Sequence, residues 1–302
     1  MYSKNAESDL ETVYLNGQFI PANQAKVSVF DRGFLFGDSV YEVIPYYNGE
    51  GFQLTEHLQR LIKSLAALSI LTDIDFSTIC NQLVTKNGGG NRSVYLQVTR
   101  GAGDKRSHAI SPQMQPTVFA CSNKIINNYH QSTQTVLGIK VIVCEDLRWQ
   151  RCDIKSTSLL PNILVIEEAR KQGAQEALLM RDSNILEGAS SNVFIVENRQ
   201  LIAPPGSNAI LSGTTSQLVK KLAFENTITL LAENISYARL INAEEVWITS
   251  STRGLLPVLQ VDQHKIGNGK KGAMWEVFYQ LLADHQQHLF ASDSAKSARS
   301  VE

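Results

Sequence analysis

Four short segments carry residue types and spacings suited to chemistry. Arg151-Cys152-Asp153-Ile154-Lys155-Ser156 ends a stretch rich in bulky residues, with Leu147, Trp149 and Ile154 in it. Most lysines are solvated, but a partly desolvated ammonium sheds its proton more readily, and a neutral amine forms a Schiff base with a carbonyl. Leu186-Glu187-Gly188-Ala189-Ser190-Ser191-Asn192 leads a carboxylate into small residues. A plain turn with Glu187 in water explains it, as does a carboxylate that keeps a heterocyclic nitrogen protonated beside a loop open to a flat ring. Leu211-Ser212-Gly213-Thr214-Thr215-Ser216 opens a helix. Ordinary N-capping accounts for such a start, yet Gly213, Thr214 and Thr215 also offer N–H groups, two hydroxyls and the positive dipole end to a phosphate. Thr249-Ser250-Ser251-Thr252 follows a strand and supplies hydroxyls that complete the same nest. Finally, Arg106-Ser107-His108 lies in a polar loop, where two donors two residues apart can hold one carboxylate.

A Schiff-base lysine, a ring-nitrogen carboxylate and a phosphate nest together describe a site for pyridoxal 5'-phosphate. Neither hydroxyl cluster is a Walker-type loop, so nucleoside triphosphates are not indicated. The elements that must hold these residues read as follows. Val13–Leu15 and Gln18–Ile20 flank Asn16-Gly17, a hairpin signal, and Asn48-Gly49 ends a strand over 41–47. A helix from about Thr55 sets Leu58, Leu61, Ile62, Leu65 and Leu68 on one stripe, with Arg60 off it. A second helix spans Phe76 to Lys86 and stops at Gly88-Gly89-Gly90. Strands follow at 94–99, 117–121, 136–144, 177–180, 192–196 and 246–249. Helices are expected over 162–171, 215–225 and 271–288. The polar, aperiodic run 127–133 reads as a linker. The pattern predicts a two-domain α/β (α+β) chain with mixed, largely antiparallel sheets flanked by helices. The expected divisions are 1–126, a smaller N-terminal domain; 134–290, a larger C-terminal domain holding the lysine; and 291–302, a disordered tail.

The chain resembles the fold-type IV pyridoxal-phosphate enzymes over about Val13 to Leu282. Asp31-Arg32-Gly33 with Phe36-Gly37-Asp38, Glu56-His57-Leu58-Gln59-Arg60-Leu61, Asp153-Ile154-Lys155-Ser156, Glu187 to Phe194 and Leu211 to Thr215 carry that resemblance. It implies Lys155 as the Schiff-base lysine and Glu187 as partner of the pyridine nitrogen. Arg60, Thr214, Thr215 and Ser251 would hold the phosphate, beside Gly213 and Ser250, and Leu211 would pack on the ring. Val40-Tyr41-Glu42-Val43 and Arg106-x-His108 are similar to the D-amino-acid aminotransferases. In that subfamily Tyr41, Arg106 and His108 would trap the substrate carboxylate, the last two reaching in from a second subunit of a homodimer. The implied reaction moves the amino group of D-alanine to 2-oxoglutarate by a ping-pong scheme. The rivals on the same scaffold are aminodeoxychorismate lyase and a branched-chain L-amino-acid aminotransferase; a non-catalytic relative would be expected to lose Lys155 or Glu187. The loop between Arg100 and Arg106 is one residue longer than the family pattern. Ala203 and Ser216 stand where Thr and Arg are common.

Composition bounds the partners. The 302 residues hold 28 Lys+Arg against 29 Asp+Glu, a net charge of −1, with 43% hydrophobic and 19% charged residues. That balance argues against intrinsic disorder and against a nucleic acid or an anionic membrane as partner. Four scattered cysteines, with no CxxC pair, read as reduced thiols, and the polar first residues read as no signal peptide, so a cytoplasmic location is expected.

Overall fold

A computed structural model describes residues 11–299, and these fall into two compact units: residues 11–126 with Ile154–Ser158, and Asn127–Asp153 with 159–299. The first unit is a six-stranded antiparallel sheet. Its strands are β1 (Thr12–Leu15), β2 (Gln18–Pro21), β3 (Ser39–Tyr47), β4 (Glu50–Gly51), β5 (Arg92–Thr99) and β6 (Thr117–Lys124), in the order β2-β1-β6-β5-β3-β4. Helices α1 (Arg32–Phe36), α2 (Leu54–Ala67) and α3 (Phe76–Lys86) accompany it. Asn16 and Gly17 take φ of 45° and 92°, and Asn48 and Gly49 54° and 88°, the left-handed pair that a two-residue hairpin turn needs. Asp75 caps α3 by accepting from the Thr78 N–H, and Ile79, Cys80, Leu83 and Val84 bury one face of it. Along β3, Val40, Glu42 and Ile44 alternate inward, so one carboxylate occupies an apolar position.

Helix α2 corrects the expected stripe. It buries His57, Arg60, Leu61, Ser64 and Leu65, while Ile62 is exposed. Arg60 therefore lies on the inward face, because Glu42 stands opposite and neutralises it.

The second unit is a ten-stranded mixed sheet. It comprises β7 (Ile139–Glu145), β8 (Glu176–Arg181), β9 (Asn184–Gly188), β10 (Asn192–Glu197), β11 (Gln200–Ala203), β12 (Leu230–Ala232), β13 (Ile235–Ser236), β14 (Glu245–Ser250), β15 (Gly254–Val261) and β16 (His264–Lys265). The order is β12-β11-β10-β14-β15-β7-β8-β9-β13, with β16 on β15. β15, β7 and β8 run parallel, and α4 (Leu160–Lys171) makes the crossover between β7 and β8. Helices α5 (Thr214–Glu225), α6 (Tyr237–Asn242) and α7 (Ala273–Arg299) complete it. Val141, Leu178, Ile185, Val193, Ile195, Val246, Ile248 and Val258 form one core. Trp247 packs on Phe278 of α7, ring centroids 5.4 Å apart.

Three divisions read from sequence differ from this arrangement. The segment 127–133 does not run free: Asn127 is buried and donates to Gln286, and the Tyr129 ring lies 6.2 Å from that of Tyr279. Tyr129 supplies the apolar surface that a polar reading overlooks. The lysine segment, expected within 134–290, groups with the first unit. Its Ile154 is buried in that unit's core, and Ser156 bridges to Val40 of β3. Helix α7 passes its expected end at 288 and reaches Arg299, so of the expected tail only 300–302 lie outside the described residues.

Candidate active site

Lys155 is placed by backbone pairing. The Tyr41 N–H donates to the Lys155 carbonyl at 3.0 Å, the Thr157 N–H to Ser39 O at 3.2 Å, and the Lys155 N–H to Ser64 Oγ at 3.2 Å. This half-buried irregular segment thus lies along β3 like an extra strand. Its ammonium sits 4.3 Å from the centroid of the Tyr41 ring, a cation–π contact that fixes where the amine points.

Beneath it, Glu42 takes both arms of Arg60, Nε to Oε1 and Nη2 to Oε2, each at 2.7 Å. His57 Nδ1 lies 2.7 Å from Glu42 Oε2. Burial alone raises a carboxyl, but the Arg60 guanidinium and His57 outweigh it and hold Glu42 at about 2. Burial drives the His57 imidazole below its ordinary value. Glu42 thus stays an anion and locks the orientation of Arg60, a residue suited to phosphate.

In the second unit Glu187 lies on β9, paired with Leu179 of β8, and not in the turn its small neighbours suggest. Its carboxylate is buried and takes three donors: Arg148 Nη1 at 2.6 Å, Asn192 Nδ2 at 3.1 Å and the Leu211 N–H at 3.1 Å. Burial lifts it to about 7 against the opposing pull of Arg148. Asn192 also donates to Leu211 O at 2.9 Å, so one amide ties the carboxylate to the 211–213 segment. Gly213 is required there, since a Cβ would stand 1.9 Å from Asn192 Oδ1. Gly213 is the cap position of α5 and offers no side-chain cap, and buried Thr214 and Thr215 form the first turn. The hydroxyls of Thr214 and Ser251 are 3.3 Å apart. Arg253 donates to Ser250 Oγ at 3.4 Å and to buried Glu176, fixing the 250–253 turn. The buried Thr249 hydroxyl has no partner among the described residues.

These residues fit pyridoxal phosphate. A buried carboxylate suits a ring nitrogen, and a helix start with clustered hydroxyls suits a phosphate. The first unit gathers Tyr41, Lys155 and Arg60; the second gathers Glu187, Leu211, Gly213, Thr214, Thr215, Ser250 and Ser251. Arg106 and His108 are exposed on the loop after β5. There the Arg106 guanidinium lies 5.0 Å from the Phe36 centroid and the His108 ring 5.3 Å from it. Sequence reading gave no role to Glu42, His57, Arg148 or Asn192. For Glu42 a signal existed, a charge on the apolar phase of Val40-x-Glu42-x-Ile44. Arg148 and Asn192 carry no comparable pattern.

Comparison with known proteins agrees. Residues 39–261 match the model of amino-transferase class IV. A D-alanine aminotransferase of Staphylococcus haemolyticus is 35% identical over 263 residues, 86% of this chain and 92% of that protein. One from Bacillus licheniformis is 35% identical over 288 residues, 94% and 99%. Among solved structures, a branched-chain amino acid aminotransferase from Escherichia coli superposes with a TM-score of 0.80 at 25% identity, covering 90% of this chain and 92% of that one. The chain belongs to the class IV aminotransferases. It is an aminotransferase whose cofactor is pyridoxal 5'-phosphate.

Proposed function

We propose that this enzyme moves the amino group of a D-amino acid, D-alanine, to 2-oxoglutarate, giving pyruvate and D-glutamate in two half-reactions of a ping-pong cycle. The observation that carries the reading is the exposed Arg106–His108 pair. Among the described residues Arg106 has no carboxylate partner, so it is available to a substrate anion. The likeness to D-alanine aminotransferases supports it.

Bound, pyridoxal phosphate supplies an aldehyde that Lys155 holds and an electron sink for the bond broken at Cα. In this reading the freed Lys155 amine would act as the general base and acid that moves the Cα proton. Glu187 keeps the ring nitrogen protonated. Arg60, Gly213, Thr214, Thr215, Ser250 and Ser251 anchor the phosphate, and Leu211 packs against the ring. Tyr41, Arg106 and His108 fix the substrate carboxylate, which decides the face of Cα that meets Lys155. The functional unit is a homodimer in which Arg106 and His108 serve the neighbouring subunit. Leu160, Ile163 and Leu164 of α4, 67%, 54% and 62% exposed, form an apolar face that a second copy would cover. The two units act as the domains, divided near residue 126. No helix among the described residues is long and apolar enough to cross a membrane, and the four cysteines are unpaired, in keeping with a cytoplasmic enzyme.

Lys155→Ala should abolish turnover and the visible absorbance of the Lys155-bound cofactor; undiminished turnover would sink the proposal. Arg106→Ala should raise KM for both D-alanine and 2-oxoglutarate by about 10-fold or more, the loss expected for a charge-assisted pair.

A further inference from the structure

The Asp31-Arg32-Gly33 and Phe36-Gly37-Asp38 segments converge on the loop that bears Arg106 and His108. Arg32 is buried and directs its guanidinium at that loop. Nη1 donates to Ser107 O at 2.7 Å and Ala109 O at 3.4 Å, and Nη2 to His108 O at 3.4 Å. Nε donates to Asp38 Oδ2 at 2.8 Å. Asp38 is gripped from the other side by Arg100, Nε at 2.7 Å and Nη2 at 3.0 Å, and Arg100 Nη2 also reaches Leu68 O at 2.7 Å. The Phe36 ring then fills the space between cations. Arg32 lies 4.9 Å from its centroid, Arg106 5.0 Å, and the His108 ring 5.3 Å.

Helix α1 is built to hold this arrangement. Asp31 caps it through the Gly33 N–H at 2.8 Å and takes Thr99 Oγ1 at 2.9 Å. Gly33 admits the helix against β5, where a Cβ would stand 2.5 Å from Thr99 Cγ2. The Arg32 N–H itself donates to Gly101 O at 2.9 Å, at the root of the loop. An exposed loop with three carbonyls captured by one buried planar fork loses backbone freedom that its own sequence would leave it.

We propose that Arg32 is a positioning residue for the substrate-carboxylate site: with Phe36 it pre-sets the 106–109 loop so that Arg106 and His108 meet the carboxylate without the entropic cost of ordering it first. This rests on the carboxylate-trap reading of Arg106 and His108. Lysine at 32 keeps the charge, but its single three-donor ammonium cannot serve Asp38 and all three carbonyls that the planar fork reaches.

The test compares cofactor-loaded wild type with Arg32→Lys, Phe36→Leu, Arg106→Ala and the double variant Arg32→Lys/Arg106→Ala. Arg32→Lys should speed amide hydrogen exchange over 105–110 by about 10-fold and raise KM for both substrates about 10-fold, with kcat within about threefold and the cofactor spectrum unchanged. In the Arg106→Ala background it should add clearly less than its roughly 10-fold effect alone, because part of that effect runs through Arg106 and only the His108 share remains. Should Arg32→Lys fail to fold, Phe36→Leu carries the same comparison. Unchanged exchange and KM in the 32 and 36 variants, while Arg106→Ala still raises KM, overturns the inference and leaves the trap standing. Full additivity in the double variant overturns it too, by reducing Arg32 to general stability. An Arg106→Ala enzyme with wild-type KM removes the trap, and the inference with it.

Discussion

Two buried carboxylates are held in opposite ways. Glu187 is lifted to about 7 by burial, and in the proposed reading it would share a proton with the ring nitrogen. Glu187→Gln keeps the shape and the contacts to Asn192 but cannot stabilise a protonated ring, so kcat should fall by about 100-fold or more with cofactor still bound, read by steady-state kinetics and absorbance. Glu42, held at about 2 by Arg60 and His57, works as a fixed anion. Its folded value lies below the ordinary 4.5, so its contribution is complete above pH 4.5 and is lost as pH falls through about 2. That shift corresponds to about 3 kcal/mol. Between about pH 5.5 and pH 3, urea unfolding should show a larger loss in wild type than in Glu42→Gln, which keeps only the part due to other carboxylates. Lys155, Glu187 and Arg60 were legible as types in motifs. Their restraints were not, because Glu42, His57, Arg148 and Asn192 gain meaning only from residues distant in sequence.

At the level of elements, local chemistry explains what could be read. The hairpin turns at Asn16-Gly17 and Asn48-Gly49 and the span of α3 follow from turn residues, a cap and a clean stripe. Helix α2 misled because its inward face carries His57, Arg60 and Ser64, polar residues buried only because β3 brings Glu42 to meet them. Strand β9 hid behind the glycine and serines that follow Glu187. The lysine segment, remote in sequence from β3, joins it through backbone bonds that no local pattern encodes. The close approach at Gly213 gives an element-scale prediction. Gly213→Ala drives a methyl into Asn192, loosening both the Leu211 segment and the start of α5. Cofactor affinity should drop by about 10- to 100-fold by equilibrium dialysis, the cost of overpacking.

For the whole molecule, a near-neutral chain conceals inward, individually placed cations at Arg32, Arg60 and Arg148, which a net charge of −1 cannot reveal. The apolar face of α4 and the reach assigned to Arg106 make one joint prediction. Lys155→Ala and Arg106→Ala chains, each impaired alone, should regain about a quarter of wild-type activity when mixed and allowed to exchange subunits, since half the dimers are hybrids with one intact site. An Ile163→Asp chain should sediment as a monomer and lose turnover. The central claim, transfer from a D-amino acid with the carboxylate held by Tyr41, Arg106 and His108, is tested most directly by stereochemistry. Purified enzyme is given D-alanine, L-alanine or L-leucine with 2-oxoglutarate, and the glutamate formed is resolved on a chiral column. D-Glutamate is expected from D-alanine at a kcat/KM at least about 100-fold above either L-substrate; L-glutamate formed faster from L-leucine would overturn the assignment.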